Sequence, residues 1–121
     1  MKNIHHTILD EGASTSIMSI SCWRAIGSPK VRQSPTTLKA FDGRGFQPYG
    51  LIPSLEITLE GKMVSIHVEI IDATPDYNIL LGRNWFYVMT VVASSVFRTV
   101  QFPHQGQIVT INQLSFYSPE T

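Results

Sequence analysis

An acidic residue that directly follows an apolar segment is the feature of this sequence with the most chemical content. Residues 4–9 predict a first strand, which runs into an acidic and small-residue loop: Asp10, Glu11, Gly12, Ala13 and Ser14. These small residues predict a tight turn that presents the Asp10 carboxylate. A carboxylate held in this way can act as a general acid or base. Asp followed two residues later by Gly is also ordinary turn chemistry, so the loop alone does not assign a function.

Two further segments would position such a loop. Residues 79–81 are apolar and are followed by Gly82 and Arg83, which predicts a strand that turns into a short helix ending near Met89. The second segment lies between the Asp10 loop and residue 79. Residues 36–41 and 47–52 predict strands on either side of a glycine-rich turn: Asp42, Gly43, Arg44 and Gly45. Asp-Gly tolerates the positive φ of tight hairpin turns, so a hairpin is expected there.

Taken together, these segments resemble the retroviral-type (retropepsin-like) aspartic proteases, which pair an apolar-Asp-Ser/Thr-Gly-Ala loop with a later apolar-apolar-Gly-Arg segment. The chain is most similar to the protease domains of Gypsy-type plant LTR retrotransposon polyproteins, through residues 21–23, 39–46, 77–85 and 101–106. The resemblance implies a mainly β fold: a small closed β-barrel with one or two short helices and a flap hairpin. The length of 121 residues predicts a single domain over residues 1–121, with the barrel at about 4–113 and a disordered tail at 114–121.

The resemblance also implies roles for individual residues. Asp10 is the expected catalytic residue, and Gly82 and Arg83 are structural. The loop residues that would line the substrate cleft are Glu11, Gly12, Ala13 and Ser14, and the flap would consist of Phe41, Asp42, Gly43, Arg44, Gly45 and Phe46. The expected reaction is hydrolysis of an extended peptide of a polyprotein, without cofactor or metal.

Aspartic protease chemistry needs two carboxylates that share one proton, so that one activates water and the other protonates the substrate. This chain has one candidate loop, since Asp42, Asp72 and Asp76 lie in turns without a preceding strand of the same pattern. We therefore expect a homodimer in which each chain contributes Asp10 at a two-fold axis. The partner of the Arg83 side chain is not assigned, because the loop position that often supplies an acidic partner in similar proteases is Ser14 in this chain.

Glu11 departs from the resemblance, because the family has Ser or Thr at this position. A carboxylate cannot donate a hydrogen bond unless it is protonated. Charges about 5 Å apart repel by about 3 kcal/mol at an effective dielectric constant of about 20. Three outcomes are open: a degenerate or weakly active protease, an enzyme that works in acid, or a Glu11 side chain that points to solvent. A non-catalytic remnant that serves as a dimerisation or protein-binding module is the alternative function, and a monomer is a further possibility.

Composition limits the other classes of function. The 121 residues contain nine Lys and Arg and nine Asp and Glu, so the formal net charge is zero and nucleic acid is not an expected ligand. One cysteine, Cys22, excludes an internal disulfide. No signal peptide or membrane-spanning segment is evident, so a soluble, cytoplasmic protein without membrane contact is expected. The adjacent His5 and His6 are not a metal site by pattern, because neighbouring strand residues point to opposite faces.

The remaining segments predict regular structure. Residues 19–26 predict a short helix that Ser19 caps and Gly27 ends. Residues 55–59 and 63–71 predict a hairpin whose second strand has Ser65, His67 and Glu69 on its polar face. Residues 96–102 and 107–111 predict a last hairpin around a turn at 103–106. Cys22, Trp23 and Trp85 are expected to pack in the interior or at an interface.

Overall fold

The computed structural model describes residues 4–35, 37–39, 45–73, 75–94 and 99–112. Within these ranges the chain is mainly β, with ten strands and two short helices. In chain order the elements are β1 Thr7–Leu9, β2 Ile17–Ser19, α1 Ile20–Ala25, β3 Leu38–Lys39, β4 Gly45–Phe46, β5 Gly50–Leu59, β6 Lys62–Ile71, β7 Ile79–Leu81, α2 Arg83–Met89, β8 Val92–Ser94, β9 Thr99–His104 and β10 Gln107–Asn112.

The central sheet has five strands in the order β1-β7-β2-β6-β5. β1 runs parallel to β7, whereas β2 runs antiparallel to β7 and parallel to β6. The chain therefore enters the sheet at one edge in β1, crosses to β2, and later returns through β7 between the two. β8, β9 and β10 form a second sheet, and β3 and β4 form a third. A closed barrel stays a prediction, because hydrogen bonds among the described residues join the strands into three separate sheets.

The hydrophobic core lies against one face of the central sheet. Met18, Ile79 and Ile70 share this face through their register and are almost fully buried. α2 packs on the same core with Trp85, Phe86 and Met89, and the second sheet adds Val100 and Phe102. Trp85 and Phe102 are the largest side chains that are fully buried. Burial of such side chains stabilises the fold by about 2 kcal/mol each, which holds the central sheet, the second sheet and the two helices together around one core.

Both helices form where their local signals predict them. Ser19 Oγ accepts a hydrogen bond from the Cys22 backbone N–H at 3.2 Å, so Ser19 caps α1. Gly27 follows the helix at φ 104°, a conformation that favours glycine. α2 begins directly after Gly82. Cys22 is buried and Trp85 lies in the core, as expected. Trp23 is half-buried, and its Nε1 donates to the Pro29 carbonyl oxygen at 2.9 Å.

The long hairpin β5–β6 forms around Glu60 and Gly61, both at positive φ, which is the geometry of a tight hairpin turn. Its first strand is longer than predicted, because β5 continues back to Gly50. Glu69 does not lie on a polar surface: its side chain is only 2% exposed. The alternation that predicted a polar face is present along β6, but this end of the strand is covered on both faces.

Other predicted boundaries were wrong. β1 begins at Thr7 instead of residue 4, and the last hairpin turns at Gln105 and Gly106, so that Pro103 and His104 extend β9. The hairpin that contains the predicted flap pairs Leu38 with Phe46 and Lys39 with Gly45. Its second strand therefore lies at 45–46 and not at the predicted 47–52, of which residues 50–52 belong to β5. The flap residues Phe41, Asp42, Gly43 and Arg44 and the predicted tail lie outside the described residues.

Candidate active site

The Asp10 loop begins where β1 ends beside β7. The Asp10 backbone N–H donates to the Leu81 carbonyl oxygen at 3.0 Å, which extends the β1–β7 pairing by one residue. Asp10 Oδ1 accepts a hydrogen bond from the Gly12 N–H at 2.9 Å, and the Ala13 N–H donates to the Asp10 carbonyl oxygen at 3.1 Å. The carboxylate thus has a defined position in the turn. It is exposed to solvent in the single chain.

Gly82 closes this loop from the other side. A Cβ at Gly82 would lie 2.3 Å from the Thr15 carbonyl oxygen and 2.9 Å from the Ala13 carbonyl oxygen, so only glycine fits without a backbone shift. The neighbouring Arg83 N–H donates to the Ala13 carbonyl oxygen at 2.9 Å. The Gly-Arg segment predicted from the sequence therefore contacts the Asp10 loop directly. The structural role predicted for it is consistent with these contacts, which are made by the backbone.

Ser16 and Asn84 join the loop to α2, and neither was predicted as a site residue. Ser16 is fully buried; its Oγ accepts from the Gly82 N–H at 2.9 Å and donates to Asn84 Oδ1 at 2.6 Å. Asn84 Oδ1 also accepts from the Trp85 N–H at 3.0 Å, and Asn84 Nδ2 donates to the His67 carbonyl oxygen at 2.9 Å. The available sequence signal was a polar Asn directly after Gly-Arg, at the start of an otherwise apolar helix.

The remaining predicted loop residues face solvent or the loop surface. Glu11, Gly12 and Ser14 are exposed, and Ala13 is half-buried. The Arg83 side chain is exposed, and in the described part of the chain no carboxylate pairs with it. Glu11 and Asp10 are therefore two adjacent exposed acids at the same turn.

A row of apolar side chains leads away from Asp10 on the sheet face opposite to the core. Ile8, Leu80 and Ile17 share this face, because they are register partners across β1, β7 and β2. All three are only half-buried. Asp10 follows Ile8 by two residues, the spacing that returns to the same face of a strand. The arrangement is an apolar floor with a carboxylate at one end, which suits an extended peptide.

The described residues contain neither a cluster of metal-ligating side chains nor a membrane-spanning helix. In the ranges that the structure describes, no group of three or more His, Cys, Asp or Glu side chains is placed to hold a metal ion. No helix of these ranges is long and apolar enough to cross a bilayer. Burial raises the pKa of the Cys22 thiol, and this buried cysteine is not part of the Asp10 loop.

The comparison with solved structures decides the fold. The chain is similar to the retroviral protease-like domain of Ddi1 from Leishmania major, with a TM-score of 0.60 and 14% sequence identity over 87% of this chain and 81% of that chain. This chain has a retropepsin-like fold. The mainly β class with short helices is therefore confirmed. No protein-family model and no curated protein sequence matches the chain. The origin in a Gypsy-type retrotransposon polyprotein stays a prediction.

Proposed function

We propose that this chain is an aspartic endopeptidase domain that hydrolyses peptide bonds of a retrotransposon polyprotein as a homodimer. The observation that carries the proposal is the position of Asp10: it directly follows a strand paired with β7, in a turn that Gly82 contacts from the opposite side. The retropepsin-like fold supports an aspartic-protease-type domain. The half-buried apolar floor beside Asp10 supports a peptide as the substrate.

The chemistry requires a second Asp10 from another copy of the chain. Two carboxylates within hydrogen-bond reach share one proton, because two like charges at that distance cannot both ionise cheaply. The ionised carboxylate removes a proton from water, and the water oxygen attacks the peptide carbonyl carbon. The protonated carboxyl donates its proton to the carbonyl oxygen, and the C–N bond then breaks as the amine nitrogen takes up a proton. The exposure of Asp10 in the single chain is consistent with a surface that a partner completes.

The chain's own residues then have separate tasks. The Gly12 N–H donates to one Asp10 oxygen and leaves the other for the dyad. Gly82 and Arg83 hold the loop through the Ala13 carbonyl oxygen. The hairpin formed by β3 and β4 would cover the bound peptide and exclude water, as flap hairpins do. Replacing Asp10 removes both acids of the homodimer, so it should abolish cleavage without unfolding the chain.

A second candidate function rests on Glu11. Two Asp10 and two Glu11 side chains would meet near the dimer axis, and repulsion of about 3 kcal/mol per close pair is large beside the stability of a small dimer. On this view the domain does not cleave peptides at neutral pH and serves as a dimerisation or protein-binding module. In acid, a protonated Glu11 could instead donate the hydrogen bond that Ser or Thr supplies in similar proteases.

The Asp10→Asn variant tests the first proposal. Pepstatin-sensitive cleavage of extended peptides should fall by at least about 100-fold in Asp10→Asn, since general acid–base catalysis contributes at least that much. Asp72→Asn is the matched control, because Asp72 is also exposed but lies in a different turn. Circular dichroism should be unchanged in both variants. Cleavage that survives Asp10→Asn would exclude Asp10 as the catalytic residue.

The Glu11→Ser variant separates the two candidates. If Glu11 repulsion limits the dimer, Glu11→Ser should raise both the dimer fraction in sedimentation and the cleavage rate at neutral pH, and Glu56→Ser should raise neither. Wild-type dimerisation should also increase as the pH falls. A wild-type dimer that cleaves no peptide between about pH 4 and 7 would favour the binding module. No gain in cleavage or in dimer fraction from Glu11→Ser would refute the charge argument on which that candidate rests.

A further inference from the structure

Glu69 is the one buried carboxylate among the Asp and Glu residues that the structure describes. Its side chain is 2% exposed, and within the described residues its Oε1 has no hydrogen-bond partner. The Glu69 backbone N–H is already used, since it donates to the Ser16 carbonyl oxygen at 3.0 Å. Burying a carboxyl oxygen without a hydrogen-bond partner is costly, and among the described residues no donor offsets that cost at Oε1.

The register places Glu69 in line with the apolar floor beside Asp10. Glu69 pairs with Ile17 of β2 on one side and with Leu51 of β5 on the other. Ile17 in turn pairs with Leu80. Register partners project to the same face of a sheet, so Glu69 lies on the face of the half-buried floor and not on the face that packs the main core. The floor therefore ends at Asp10 on one side and at a carboxylate on the other.

The nearest basic residue among the register partners in line with Glu69 is Arg32, and it does not pair with the Glu69 carboxyl group. Arg32 pairs with Leu51 through an isolated β-bridge, and Leu51 pairs with Glu69. The backbone of Arg32 therefore lies two strand spacings, about 10 Å, from that of Glu69. Its side chain is exposed. The direct neighbours of Glu69 in the row are the aliphatic side chains of Ile17 and Leu51. Glu69 is buried in the single chain, so a cation that reached it from the floor would have to displace the groups that cover it, and it would meet no competing basic residue of this row.

We propose that Glu69 is the acidic specificity determinant of the substrate cleft, and that it selects a Lys or Arg side chain of the peptide. This inference rests on the proposed function. Lys and Arg bury their methylene stems along apolar surface while the charged end seeks a polar partner, which fits a floor of Leu80 and Ile17 that ends at Glu69. Glu69 acts as a binding group and takes no part in bond cleavage.

The sheet geometry also limits where the selected residue lies in the substrate. β1 and β6 are separated by three strand spacings, about 14 Å, which equals about four residues of extended peptide. A long basic side chain covers part of that distance. The selected Lys or Arg therefore lies within about three positions of the scissile bond, and is not the residue whose carbonyl is attacked.

Cleavage of a peptide series tests the assignment. Peptides that differ only by Lys, Arg, Met or Gln at each of three positions on either side of the scissile bond are compared by kcat/KM. The wild-type chain should prefer Lys or Arg by at least about tenfold at one position. Glu69→Gln, which keeps the size of the side chain, should bring the ratio of kcat/KM for the basic peptides to that for the Met peptides to within about threefold of one. Glu56→Gln, an exposed change of equal charge on β5, should retain the preference.

A binding measurement separates this inference from the proposed function. The same peptides with a non-cleavable bond are titrated into Asp10→Asn and into Asp10→Asn combined with Glu69→Gln. Tighter binding of the basic peptides to the first variant only, without cleavage by wild type, would support Glu69 and contradict the catalytic proposal. Cleavage by wild type without basic preference, preference that survives Glu69→Gln, or preference that is also lost in Glu56→Gln would overturn the assignment. Failure of every peptide to bind or be cleaved would overturn it as well.

Discussion

Gly82 lies directly against Thr15: a methyl group on Gly82 would stand 2.3 Å from the Thr15 carbonyl oxygen and 2.7 Å from its carbonyl carbon. Both contacts are to backbone, which cannot rotate away as a side chain can. The two residues belong to segments far apart in the chain, the Asp10 loop and the turn into α2. Their contact is what holds the loop in place after β1 ends.

Gly82→Ala should therefore destabilise the chain by about 2 kcal/mol or more, because overpacking here must displace the loop backbone. Urea denaturation measures the free energy of unfolding. Gly45→Ala is the matched control: an added Cβ there would meet the Thr37 methyl group at 2.8 Å, which belongs to an exposed side chain and not to the backbone. We expect a loss of less than about 1 kcal/mol for Gly45→Ala. Equal losses in both variants would contradict the tight Gly82 contact.

Ser16→Ala should cost about 1–3 kcal/mol, because it leaves the buried Gly82 N–H without its acceptor and removes a donor from Asn84. Ser65→Ala, at an exposed position of β6, should change stability by less than about 0.5 kcal/mol. Thermal unfolding of both variants under one buffer condition gives the comparison. A Ser16→Ala chain as stable as Ser65→Ala would mean that the Ser16 hydroxyl contributes no net stability.

Lys62→Met should lower stability by about 1–2 kcal/mol. Lys62 Nζ donates to the Met89 and the Pro103 carbonyl oxygens, each at 2.8 Å, and so joins the β5–β6 turn to the last residue of α2 and to β9. A cation at the end of a helix also interacts favourably with its free carbonyl groups. Lys30→Met, at an exposed position, is the control and should have little effect. An equal loss of stability in the two variants would contradict the stabilising role of the Lys62 hydrogen bonds.

The free energy of unfolding should decrease at alkaline pH, because the Cys22 thiol ionises more readily in the unfolded chain than in the folded chain. Burial raises the pKa of its thiol, so the folded chain keeps this proton at pH values where the unfolded chain loses it. The unfolded state is therefore favoured progressively as the pH rises above the ordinary thiol pKa of 9.0. Burial also raises the pKa of Tyr77 from its ordinary 10.0, which adds a second loss at still higher pH.

Cys22→Ala should remove the first of these two losses. Urea midpoints measured between pH 7 and 10 should decline less steeply in Cys22→Ala than in wild type, while Tyr77→Phe should leave the Cys22 contribution intact. Parallel curves for wild type and Cys22→Ala would show that the thiol does not ionise on unfolding in this range.

Features with local causes were predictable from the sequence. Ser19 caps the start of α1 and Gly27 ends it, and Glu60 and Gly61 form the turn of β5–β6. The Asp10 loop likewise follows an apolar strand. Each of these features depends on residues only a few positions apart in the sequence. The contact between the Gly-Arg segment and the Asp10 loop was implied by the family resemblance. The retropepsin-like fold confirms the class that this resemblance implied.

Features that depend on distant pairing were not predictable. β2 and β8 have three residues each, too few for a period, and they are strands because β6, β7 and β9 lie beside them. Alternation along β6 assigned Glu69 to a polar face, but which face of a strand is covered depends on the rest of the fold. The sequence alone determined the acid, its turn and the helices. The tertiary structure decided what buries Ser16 and Glu69, because burial is a property of neighbours that the chain brings together only on folding.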